Sequence, residues 1–411
     1  MLKKNLQLYK FSAYGFLKNL RFFDAFLFLF FRGQGFSFLE IGTLISIREV
    51  SIMIMEIPTG IVADSYGRRR SMIFSFLSYI ASFIIFFFFP KFSFYAIAMI
   101  LFGLGEAFRS GTHKAMILAY LELNKITDQK VEYYGFTRSW SQIGSAVAAL
   151  IAGAIVFFSG NYKYIFLGSV IPYFIALILM ISYPKNLDGE LKKADAANCF
   201  GKSVHFFLDT IKDFYKEMKK PILRKAIINS AIFDGLFKTA KDYIQPVLQA
   251  FALSAPVILF LKNGRDTVII SLVYFFLFLL TSFSSRKSKQ FGNLFKSSAE
   301  AINSSYISGI MLILITGVLY HFGIKSLAIL GFIIFYMFQN TRRPINVGYI
   351  SEIISSRVMA SGLSLESQLK TVFIAIFSPL MGYLADTLGI GLAIVVLSSL
   401  TLLVFPLIKV R

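Results

Sequence analysis

Cysteine is almost absent from this chain: Cys199 is the single one in 411 residues. A lone thiol excludes an intramolecular disulfide, and three histidines form no cluster with metal-ligand spacing. No G-x-x-x-x-G-K-[ST] segment is present, so no phosphate-cradling loop for ATP is encoded. Nor does any nucleophile–base arrangement stand out, and the expectation is a non-enzyme without cofactor or metal. Negative charge is scarce, with 22 Asp and Glu against 42 Lys and Arg. Polar surface is scarce too. At 56% hydrophobic residues and a mean hydropathy of +0.68, a soluble globule would have too little polar material to cover itself.

What fills the chain is a succession of apolar runs of about 20 residues, the length that crosses a hydrocarbon core. Twelve spans are expected, near 9–31, 38–62, 70–90, 93–121, 132–158 and 163–183, then 224–250, 266–285, 300–321, 325–348, 358–385 and 388–408. Lys3, Lys4 and Lys10 precede the first run without a small-residue cleavage site, which reads against a cleavable signal peptide. Lys3, Lys4, Arg68, Arg69, Arg70, Lys125, Lys130, Arg286, Lys287, Lys289 and Arg411 fall on one side of this map. Basic loops stay cytoplasmic, so both termini are expected inside. The net charge of +20 follows from that bias, and nucleic acid is not an expected partner. Between the two sets of spans, Phe207, Ile211, Phe214 and Met218 recur at helical spacing among lysines. They suggest an amphipathic helix on the inner membrane surface, within a linker over 185–223 that separates bundles at 1–184 and 224–411.

The sharpest motif is Gly60-Ile-Val-Ala-Asp64-Ser-Tyr-Gly67-Arg68-Arg69-Arg70, directly after the second run. Further along lie Gly103-Leu-Gly-Glu-Ala-Phe-Arg109-Ser-Gly111 and Gly382-Tyr-Leu-Ala-Asp386-Thr-Leu-Gly389. Together these resemble the signature segments of the major facilitator superfamily of secondary transporters. The resemblance implies an all-α polytopic protein of two six-helix bundles with a substrate site between them. It also implies that Gly60, Asp64, Gly67 and Arg68 gate the cytoplasmic side. The halves echo each other, Phe23-Asp24-Ala25 with Phe233-Asp234-Gly235, and Ser139-Trp-Ser-Gln142 with Leu365-Glu-Ser-Gln368. Transporters built from parallel repeats carry such echoes. Drug/proton antiporters of the superfamily have a proline in span five, and Gly144 to Gly153 has none.

Charge inside a bilayer is costly and by default faces water or a partner. Arg21, Arg109, His113, Lys114, Arg138, Lys238, Lys241 and Arg342, with Gln142 and Gln368, are the expected substrate contacts. Asp24, Glu106, Asp234 and Glu366 are the expected proton-coupling carboxylates. Glu106, Arg109 and His113 share one face of one helix at i, i+3 and i+7. The spans hold about a dozen cationic groups against about seven acidic ones, a surplus that suits an anion. The expectation is therefore alternating-access transport, symport or antiport, of a small anionic solute. Protons or another coupling ion would drive it, with a monomer in the bilayer of the bacterial inner membrane. A multidrug exporter and a non-transporting receptor or scaffold stay open as alternatives. Reporter fusions at either terminus should show both inside the cell, and an outward terminus would refute the twelve-span map.

Overall fold

The computed structural model describes residues 5–188, 219–254, 264–353 and 359–410. Cys199 and the amphipathic helix expected around Phe207 to Met218 lie outside them. Among the described residues the chain is helical without strands. In order come α1 (Leu6–Lys18), α2 (Leu27–Gly33), α3 (Phe38–Tyr66), α4 (Arg68–Phe88), α5 (Phe92–Arg109), α6 (Thr112–Leu123), α7 (Lys130–Ser159) and α8 (Tyr164–Ile181). They are followed by α9 (Pro221–Ala240), α10 (Ile244–Ser254), α11 (Arg265–Arg286), α12 (Ser288–Gly292), α13 (Ser298–His321), α14 (Lys325–Ile353), α15 (Met359–Leu388), α16 (Ile390–Leu403) and α17 (Phe405–Ile408).

Seven helical stretches among these residues are long and apolar enough to cross a membrane: α4, Phe92–Leu123, Thr127–Ser159, α8, α11, α13 and Glu366–Leu388. The other expected spans are helical but differ from a plain apolar rod. The first breaks between Lys18 and Leu27, and the seventh at a 3-10 turn over Lys241–Tyr243. The helices α3 and α14 carry Arg48, Glu49 and Glu56, and Arg342 and Arg343, within their length, while α16 spans 14 residues. Breaks and charges of this kind belong where backbone and side chains face water or protein in place of lipid.

The chain divides into two compact units. One comprises Met1–Leu27 and Val50–Phe207, the other Phe28–Glu49 and Leu208–Arg411. Residues 28–49 thus belong with the second half of the sequence, and α3 runs from one unit into the other.

In the first unit, aromatic rings from four helices and the α1–α2 turn fill the interior. The rings of Phe83 and Tyr173 lie edge-on 5.0 Å apart, and those of Tyr79 and Phe102 5.1 Å apart. Serines bind α4 to α5: Ser71, Ser75 and Ser82 donate to the carbonyls of Phe108, Gly105 and Ala98 at 3.0, 2.7 and 2.8 Å. Lipid offers helices no hydrophobic drive to associate, so close approach of small residues and interhelical hydrogen bonds take over. Gly144 of α7 shows the same economy of size, because a Cβ there would sit 2.6 Å from the Phe16 carbonyl of α1.

In the second unit Leu223, Ile227, Ile302, Ile350 and Val410 form an apolar cluster. Asn303 ties the chain end to it, donating to the Val410 carbonyl at 2.7 Å and accepting its N–H at 3.0 Å.

Gly144→Leu should therefore overpack the α1–α7 contact and lower stability by about 2 kcal/mol, read as a depressed thermal midpoint. Gly135→Ala on the same helix, with open space around its Cβ, should hold or raise the midpoint.

Candidate functional site

Glu106 and Arg109 occupy the last turn of α5, where backbone carbonyls without helical partners give way to a break at Ser110–Gly111. Gly111 has a φ of +72°, and α6 starts at Thr112. The i, i+3, i+7 stripe is consequently interrupted. Glu106 and Arg109 stay together, while His113 turns onto a separate helix. Arg21 follows α1, in a stretch of turns that begins after Asn19 caps the helix by donating to the Gly15 carbonyl at 2.7 Å.

These breaks bring three charges together. One carboxylate oxygen of Glu106 pairs with Arg21 Nη2 and the other with Arg109 Nη2. Tyr79 on α4 steadies the second guanidinium, accepting from Arg109 Nε at 3.2 Å. The three charged side chains are between 17% and 21% exposed, dry enough for the pairing to matter and open enough to be reached.

Arg109 also faces a cavity of about 490 Å³ within the first unit. Lys18, His113, Lys114 and Arg138 line it, with Tyr14, Tyr134, Thr137 and Ser141 adding polar atoms. No carboxylate is among its lining side chains. His113 stacks on Tyr14 with ring centres 3.7 Å apart, meets Phe11 edge-on and lies 3.3 Å from the Tyr183 hydroxyl. The Tyr14 hydroxyl is buried and has no hydrogen-bond partner among the described residues. Sequence reasoning passed over Tyr14, because an aromatic in an apolar run reads as core and only the fold turns it toward a cavity.

Other expected contacts are placed elsewhere. Gln142 and Gln368 are half-buried, and Lys238 is exposed. Lys241 pairs with its neighbour Asp242 at 2.5 Å. Arg342 is fully enclosed: its Nη2 donates to Asn229 Oδ1 at 2.6 Å, and its guanidinium lies 4.1 Å from the Phe233 ring centre. Asp234 accepts from Gln339 at 2.5 Å, and Glu366 from Ser230 at 2.9 Å. Asp24 is half-buried in the turns after α1. Trp140 packs edge-on against Phe16 and remains 36% exposed.

At the basic loop, Gly67 has a φ of +99° and begins α4. The carboxylate that caps this helix is Asp188, which accepts from the Arg69 N–H at 2.7 Å. Asp64 is exposed and makes no hydrogen bond or ion pair with the described residues. Arg68 reaches the Ala115 carbonyl at 3.3 Å. Nothing in the spacing marks Asp188, which comes from a 3-10 turn more than a hundred residues along the chain.

The family profile of the Major Facilitator Superfamily matches residues 19–365. The uncharacterized MFS-type transporter YxaM of Bacillus subtilis (strain 168) is 25% identical over 246 residues, covering 59% of this chain and 57% of that protein. The crystal structure of the nucleoside transporter NupG superposes with a TM-score of 0.77 at 12% identity, covering 98% of each chain. A POT family transporter in complex with 5-aminolevulinic acid superposes with a TM-score of 0.70 at 15% identity, covering 98% of this chain and 93% of that one.

Asp188→Ala should remove a helix cap and cost about 1 kcal/mol, lowering the thermal midpoint, while Asp64→Asn leaves it unchanged. Equal effects of the two would mean that Asp188 does not hold α4.

Proposed function

The chain belongs to the Major Facilitator Superfamily and is a secondary transporter of that class, and from this premise we propose that it carries a small organic or inorganic anion coupled to protons. The observation that carries the reading is the cavity beside Arg109, whose lining includes Lys18, His113, Lys114 and Arg138 and no carboxylate side chain. Arginine's planar fork holds carboxylate, phosphate or sulfonate groups in two parallel hydrogen bonds. The Tyr14 hydroxyl supplies a neutral donor next to it, and the wall of Phe11, Tyr14 and Ile117 accommodates an apolar body.

Glu106, which bridges two guanidinium groups, is the carboxylate we assign to coupling. While ionised it occupies Arg109 and competes with the substrate anion. Protonated, it no longer neutralises Arg109, and a cation without its counter-ion in a dry site binds an anion more strongly. Proton and anion then favour each other's binding, the thermodynamic condition for carrying both in one direction. The sign follows: anion affinity rises as pH falls. Asp24, Asp234 and Glu366 are assigned subsidiary parts in that proton transfer. Asp64 and Arg68 act on conformation and do not contact substrate. The protein works with basic loops and both termini on the cytoplasmic face.

Binding and uptake of labelled anions in proteoliposomes test this. Arg109→Ala should abolish binding, and Arg109→Lys should weaken it by about tenfold through loss of the fork geometry. Glu106→Gln, a fixed mimic of the protonated carboxyl, should retain anion binding and lose its pH dependence. If the pair is only structural, Arg109→Ala with Glu106→Gln restores transport, because the penalty lay in an unpaired buried charge. Such a rescue, or a preference for cationic amphipaths, overturns the anion reading and favours the exporter.

A further inference from the structure

The cations around the cavity beside Arg109 stand at two levels. Two of its walls, α1 and α7, run parallel. Asn5, the N-cap of α1, donates to the Tyr133 hydroxyl at 3.3 Å, and the Phe16 carbonyl lies against Gly144. Eleven residues separate these two contacts on each helix. Arg138 on α7 is therefore level with Lys10, eight residues before Lys18, which is about 12 Å along an α-helix.

Lys114 joins Arg138 at its level, because Tyr134, one turn before Arg138, donates its hydroxyl to the Lys114 carbonyl at 3.1 Å. Both cationic side chains are exposed there. At the other level Lys18 ends α1 and Arg109 ends α5, and both are partly buried. Arg109 is the charged neighbour that Lys18 feels most strongly.

Between the two levels the wall changes character. Tyr14 and His113 stack there with ring centres 3.7 Å apart, and Gly15 and Ile117 complete the lining. Thr137 and Ser141 turn their hydroxyls onto their own helix, donating to the Tyr133 and Thr137 carbonyls at 3.0 and 3.2 Å. No carboxylate side chain lines the cavity at either level. A solute with one anionic group can meet only one pair of cations. Its uncharged end would then lie against the other pair, and charge left unmatched away from bulk water is costly.

We propose that the solute is an elongated dianion, with an anionic group at each end of an uncharged body. Lys18 and Arg109 hold one end, Lys114 and Arg138 the other, and the rings and aliphatic carbon between them receive the body. This deepens the anion reading and rests on it. A compact anion such as inorganic phosphate reaches one level only.

Calorimetric binding to purified protein in detergent tests it with the straight-chain dicarboxylates from malonate to suberate and the monocarboxylate hexanoate, all ionised at one pH. Affinity should pass through a maximum along the series, with the best diacid bound about tenfold more tightly than hexanoate. In the double variant Lys114→Gln with Arg138→Gln, that preference should disappear. Reversing the charge, with Lys114→Gln and Arg138→Glu, should make ε-aminocaproate bind more tightly than adipate, a gain that a misfolded protein cannot show. Hexanoate binding as tightly as every diacid overturns the two-ended solute and leaves the anion reading standing. So does a diacid preference that persists undiminished in the neutralised variant. Failure of hexanoate and every diacid alike to bind overturns the anion reading, and the proposal with it.

Discussion

Everything in this protein is organised around the cost of charge in hydrocarbon, and the pairing of Glu106 with Arg21 and Arg109 is where that cost is met most directly. A lone guanidinium in a dry interior is expensive, and a carboxylate shared between two of them relieves part of the penalty. The cluster opens on a cavity whose lining includes Lys18, Lys114 and Arg138 and no carboxylate side chain, and the proposed affinity for an anion rests on that arrangement.

The two sequence halves place arginines in different surroundings. Arg109 and Arg342 both lie within helices of the two sequence halves, yet their surroundings diverge. Arg109 has an acidic partner three residues back, a tyrosine hydroxyl and a cavity in front of it. Arg342 is enclosed against Phe233 and Tyr306, with an asparagine oxygen as its hydrogen-bond partner. Its Nε and Nη1 have no partner among the described residues. A guanidinium in that position is a fixed positive charge inside a helical unit, and Asp234 and Glu366 on α9 and α15 are instead held by Gln339 and Ser230. The side chains around each arginine decide its chemistry.

Small residues are the second constraint. Serines of α4 lie on carbonyls of α5, Gly144 lies on the backbone of α1, and Gly42 and Gly382 let α3 and α15 touch. In a membrane such contacts are a main source of helix association, because lipid and leucine are equally apolar. Charge placement and small-residue contacts are thus the two means by which the helices of this protein are held against one another.

Much of this was legible in one dimension. Hydropathy and the basic Gly60–Arg70 loop determined an all-helical membrane transporter of the superfamily, since span length and charge bias are local properties of the chain. The intramembrane charges of α5 were visible for the same reason. Partners were not. Which carboxylate meets which guanidinium depends on helix breaks at Asn19 and Gly111 that hydropathy does not register. Tyr14 looks like core until α1 is packed. Asp188, and Asp386 at a separation of 348 residues from Phe38, find helix starts that only folding brings near. Sequence alone determined the class of solvent each helix must live in, because that is summed residue by residue. Tertiary structure decided which polar atoms meet, because hydrogen bonds and ion pairs act over a few ångströms between segments the chain keeps far apart.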